Sequence, residues 1–73
     1  MRRFEMGQRV VITSGADALI GKRGRVARLR FKDSQAWVAM DEQPPSEFCS
    51  FPADDEYGRG KNLLLDPTDC EAA

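Results

Sequence analysis

Apolar residues in the first forty positions recur at every second residue, the spacing of strands with one buried face. In residues 6–15, "MGQRVVITSG", Val10 and Ile12 share one face while Val11 and Thr13 share the other, between Gly7 and Gly15. The β-branched run Val-Val-Ile-Thr favours a strand over a helix. Residues 23–32, "RGRVARLRFK", predict a second strand, with Leu29 and Phe31 inward and Arg28, Arg30 and Lys32 outward. Val26 is out of phase with that inner set, so its burial requires a β-bulge near Ala27. Between the two strands, "GADALIGKRG" is a connection with three glycines, and Leu19 and Ile20 are expected to tuck under the rim.

Further along, "KDSQ" reads as a turn and "AWVAMD" as a third strand, with Val38 and Met40 on one face and Trp37 and Ala39 on the other. Pro44 and Pro45 keep "DEQPPSE" out of a sheet interior. "EFCSF", stopped by Pro52, is expected as a fourth strand, "ADDEYGRGK" as an exposed loop and "NLLLD" as a fifth strand. Asp66 as N-cap and Pro67 at the first helical position can start one helical turn. Residues 1–6 are expected as a flexible arm and 67–73 as a frayed tail. The expected fold is one mainly β domain over residues 1–73, a small five-stranded antiparallel barrel with at most one helical turn. Its core would be Val10, Ile12, Val26, Leu29, Phe31, Val38, Met40 and Leu64.

Charge adds a feature the periodicity does not contain. The chain is nearly neutral, at −1 over 73 residues. Yet residues 1–32 hold nine basic and two acidic residues, and residues 33–73 hold two basic and ten acidic ones. Such sorting suggests a two-signed surface suited to a specific partner, where a pure nucleic-acid binder is more often basic throughout. There is no histidine, and the two cysteines, Cys49 and Cys70, form no Cys-x-x-Cys pair. No zinc site, other metal site, cofactor or catalytic constellation is therefore expected. The cysteines read as free thiols, one in a strand and one in the tail. No apolar run approaches the roughly 20 residues of a membrane span, and no long apolar stretch follows Arg2 and Arg3, so a cytoplasmic protein is expected; it is also expected to be monomeric and, without a catalytic constellation, non-enzymatic.

"MGQRVVITSGADALIGKRGRVARL" resembles the KOW motif, the strand–loop–strand unit of SH3-like barrels. Gly7, Val10, Ile12, Gly15, Gly21, Gly24, Val26 and Leu29 carry the resemblance, and "AWVAMD" is similar to the strand that follows such a unit. The motif covers about a third of the chain, and the second half matches none. The resemblance implies an SH3-like barrel that contacts RNA, a ribosome or RNA polymerase. A chain of this size and organisation also looks like small phage-encoded regulators that bind host RNA polymerase and disturb initiation or promote antitermination. The alternative is a KOW module that binds RNA or DNA, nascent RNA included.

Several side chains could carry such binding, each with a plainer role beside it. Arg25, Arg28, Arg30 and Lys32 are either a docking stripe or a solvated strand face charged against edge pairing. Arg2, Arg3 and Phe4 are either an arm that orders on a partner or a terminus with Phe4 packed on the barrel. Trp37 is either an interface anchor or a lid over one barrel end. Gly21-Lys22-Arg23-Gly24 has the spacing of a nucleotide-clamping GxxG loop, but strands flank it where that loop needs helices. Gly24 is expected instead at a tight approach or a positive-φ position. Asp54, Asp55 and Glu56 beside Tyr57 are either a phosphate-mimicking tip or a solvated loop. Asp17, Asp33 and Asp41 read as turn residues.

Overall fold

The computed structural model describes residues 3–48 and 62–73. Five strands form one antiparallel sheet: β1 (Arg9–Ile12), β2 (Arg23–Arg30), β3 (Gln35–Met40), β4 (Asn62–Leu65) and β5 (Cys70–Ala72), in the spatial order β4-β3-β2-β1-β5. β4 and β5 stand at opposite margins, yet only Asp66 and the 3₁₀ turn Pro67–Asp69 separate them. Across a flat sheet those margins would lie about 19 Å apart at about 4.8 Å per strand. A 3₁₀ turn advances only about 2 Å per residue. The sheet therefore curls into a small barrel. No helix among the described residues is long and apolar enough to cross a membrane.

Three cross-strand rows line the inside. Val10, Gly24 and Met40 form the first, Val26, Val38 and Leu63 the second, and Leu29, Ala36 and Leu65 the third. Phe4, Ile12, Leu19 and Cys70 complete the core, and Leu29 packs against it half-buried. The rows stay in register through the expected bulge. Val26 pairs with Val38 and Arg28 with Trp37, so Ala27 has no partner across the strand. Gly24 is a close-approach glycine. A Cβ there would lie 2.6 Å from the Ala39 carbonyl oxygen and 2.8 Å from Val38 Cγ1.

Five expectations are corrected. The segment expected as a fourth strand begins with a 3₁₀ turn, Ser46–Phe48, in which the Phe48 N–H donates to the Pro45 carbonyl at 2.9 Å. The φ that proline imposes suits such a turn; residues 49–51 of that segment lie outside the described residues. The tail is not frayed: Cys70–Ala72 pairs with β1 and the Ala73 N–H donates to the Arg9 carbonyl at 3.0 Å. Without β5, one side of β1 would leave its N–H and C=O groups unpaired. Nor is the described part of the arm loose, since Phe4 is 1% exposed and its N–H donates to the Asp33 carbonyl. Burial of that ring contributes about 1.5–3 kcal/mol, which a free arm would forgo.

Phe31 and Leu64 are the fourth correction, because neither is core. Phe31 stands one residue beyond β2 at φ 51°, followed by Lys32 at φ 65°, and alternation stops there. Each non-glycine residue held in this left-handed region costs on the order of 1–3 kcal/mol. On β4, Leu63 and Leu65 point inward and Leu64 lies half-buried on the outer side. Ile20, the fifth, is likewise exposed while Leu19 is buried.

Gly24→Ala should therefore lower stability by about 1–3 kcal/mol, as overpacking does. In a thermal melt followed by circular dichroism, Tm should fall by at least about 4 °C. An unchanged Tm would mean that β2 and β3 are not this close.

Candidate binding face

The bulge at Ala27 decides what the outside of the barrel displays. It lets Val26 and Leu29 both face inward, and it thereby turns Arg25, Arg28 and Arg30 all outward. Arg25 lies beside Arg9 on β1 and Ala39 on β3. Arg28 lies beside Trp37, which has Leu64 on its other side. Arg30 is opposite Gln35. The outer side of β2 and β3 thus carries three exposed arginines around a half-buried indole.

The neighbouring acids are already engaged. Arg9 grips Asp41 with both guanidinium nitrogens, Nη1 to Oδ1 at 2.8 Å and Nη2 to Oδ2. Lys22 Nζ meets Glu42 at 3.0 Å, and Arg3 meets Asp33 at 3.5 Å. Among the described residues no carboxylate lies within 4.0 Å of Arg23, Arg25, Arg28, Arg30 or Lys32. The Arg9–Asp41 pair has a structural consequence too. Arg9 and Arg25 are direct cross-strand partners, and like charges so placed repel. Asp41 sits close enough to answer both. The hydrogen bond from Arg9 holds its carboxyl below the usual range, and the fields of Arg9, Arg23 and Arg25 add to that.

The candidate residues do not all gather here. Arg25, Arg28, Arg30 and Trp37 come together, whereas Lys32 lies past the strand in the turn. Phe4 is in the core and is not available to a partner, which corrects the arm reading. Arg3 is at the β2–β3 turn, paired to Asp33, and Arg2 lies outside the described residues. So do Cys49 and the acidic tip 54–56. Cys70 is free and buried, its thiol pushed up to about 11 by burial and by Asp69. No group of three potential metal ligands occurs among the described residues. Three residues at or beside the face carried no binding signal in the pattern: Arg9, Asp41, and Phe31, whose phase reads as core. Arg9 and Asp41 are 32 residues apart, and only the register of β1 on β2 on β3 brings them together.

Comparisons of the chain with family models, with curated proteins and with solved structures return no match. The face is read from its own geometry.

Asp41 supplies a pH test. Its folded pKa lies below that of the unfolded chain, about 3.9. Its contribution is therefore complete above that value and disappears as pH falls through the lower, folded one. In an NMR titration of side-chain carboxyl carbons, Arg9→Leu should move the Asp41 midpoint upward. A midpoint unmoved by that substitution would disprove the coupling.

Proposed function

We propose that the barrel is a non-catalytic docking module of the bacterial transcription machinery, binding RNA polymerase through Arg25, Arg28 and Arg30. One observation carries this reading: Arg25, Arg28 and Arg30 face outward along β2 with no carboxylate within 4.0 Å among the described residues, and Arg28 lies directly across from Trp37. Arginine and tryptophan are the side chains enriched where protein interfaces concentrate their energy. Arginine's planar fork also suits bidentate contact with carboxylates on an acidic protein surface. The link to transcription rests on the resemblance of residues 6–29 to a KOW unit and of the chain to phage-encoded polymerase regulators acting in the host cytoplasm.

The mechanism is occupancy. A rigid barrel docked near the polymerase clamp or the RNA exit region disfavours σ-bound initiation states or terminator hairpins. Its effect is bounded by its difference in affinity for the states involved. A second reading has its own support: Arg28 directly beside Trp37 is also a cation next to a stacking surface, which suits single-stranded RNA.

One pair of measurements separates the two. The double variant Arg25→Glu/Arg28→Glu, shown folded by circular dichroism, should bind purified bacterial core RNA polymerase at least tenfold more weakly than wild type. Equal affinity would defeat the polymerase reading. If isolated wild-type protein instead binds single-stranded RNA tightly, log K against log salt should slope by about −2 for three phosphate contacts. That result would favour the nucleic-acid module.

A further inference from the structure

Phe31 stands out from the rest of the surface. It is 68% exposed, more than any other large apolar side chain among the described residues. Period-two alternation would have buried it beside Leu29. Instead, Phe31 and Lys32 both occupy the left-handed region, at φ 51° and 65°. Tight hairpin turns that need positive φ ordinarily use Asn and Gly, so a phenylalanine here works against the local backbone preference.

The tip is nonetheless held firmly. The Phe31 carbonyl accepts the Ser34 hydroxyl at 3.0 Å and the Ser34 N–H at 3.3 Å. The Asp33 carbonyl accepts the Phe4 N–H at 3.3 Å, and the Asp33 carboxylate pairs with Arg3. Buried Phe4 thereby ties the tip to the core. The Arg30 guanidinium lies 4.7 Å from the Phe31 ring centroid. Core packing does not explain the ring, and the backbone that carries it is tied to the core. An aromatic side chain has only two rotatable bonds and loses little freedom on binding.

We propose that Phe31 is a preformed anchor that inserts into an apolar pocket on the partner protein. Carboxylates at the pocket rim pair with Arg30 and Lys32. The charge at the tip favours this occupant: Arg30 and Lys32 have no carboxylate within 4.0 Å among the described residues, and Asp33 in the same turn is matched by Arg3. Arg30 covers one face of the Phe31 ring, so a base could stack only on the other, whereas a pocket can take the ring by its edge and open face. The inference rests on the docking reading above and extends it, placing an apolar contact at the end of the arginine face.

The test uses the full chain, purified core RNA polymerase and two variants, Phe31→Ala and Phe31→Gly. Glycine removes the ring and is at ease at positive φ, so its Tm should equal or exceed that of wild type. Both variants should bind the polymerase at least tenfold more weakly, mainly through faster dissociation. That factor should persist at high salt, where the arginine contacts are screened. Wild-type affinity in either variant overturns the anchor alone. So does a large loss of Tm in both variants, which would make Phe31 a structural residue. Weakened binding to single-stranded RNA with polymerase affinity intact assigns the ring to nucleic acid and overturns it too. Wild-type protein that fails to bind the polymerase overturns both this inference and the docking reading.

Discussion

The unpaired residue at Ala27 lets β2 serve two sides of the barrel at once. A regular strand with Val26 inward would turn Arg28 inward and Leu29 outward, placing a charge in the core. With the bulge, Val26 joins Val38 and Leu63 while Leu29 joins Ala36 and Leu65. The same shift leaves Arg25, Arg28 and Arg30 on the solvent side. Core packing and the arginine face are therefore one constraint. Burying Val26 and Leu29 contributes several kcal/mol in total, far more than solvated surface arginines contribute. The core sets the geometry, and the face inherits it.

That inheritance would be costly without Asp41. Arg9, Arg23 and Arg25 converge where β1 meets β2, and Asp41 enters from the end of β3 to sit among them. The Asp41 N–H also donates to the Arg23 carbonyl at 3.0 Å, which fixes its place. The charge sorting along the chain is thus partly undone by folding. Asp33, Asp41 and Glu42 come from the acidic half and pair with Arg3, Arg9 and Lys22 from the basic half. Among the described residues, Arg23, Arg25, Arg28 and Arg30 of β2 are left without a carboxylate within 4.0 Å, which concentrates basic charge on one strand.

Much of this was legible in the residues. The alternation of Val10 with Ile12 and of Val38 with Met40 marks strands, because those side chains can be buried only at period two. Val26 announces the bulge by being out of phase, and Gly24 announces a close approach. Asp66-Pro67 starts a turn where one is found. The failures have two causes, partners distant in sequence and the local geometry of turns. Cys70-Glu71-Ala72 has no strand signature of its own, and it is a strand because β1 needs a partner on its open side. Phe4 packed on the barrel is one of the two readings of the N-terminus, and it is the one found. Phe31 reads as core by phase, and only the turn after Arg30 takes it out.

The face and the tip are mechanically one piece. Arg30 belongs to both, paired across the sheet with Gln35 and set against the Phe31 ring. Gln35 Nε2 in turn donates to the Asp66 carboxylate at 2.9 Å, tying that end of β3 to the short connection that closes the barrel. Arg3 and Phe4 hold the turn from the other side. A partner engaging the arginines would therefore meet the turn that carries the ring in a fixed relation to the strand that carries them. Specificity would follow from that rigidity. An acidic surface is common, but an acidic surface with an apolar hole at one set place beside it is not. A partner lacking the hole would meet the exposed ring as a steric obstacle to the same salt bridges.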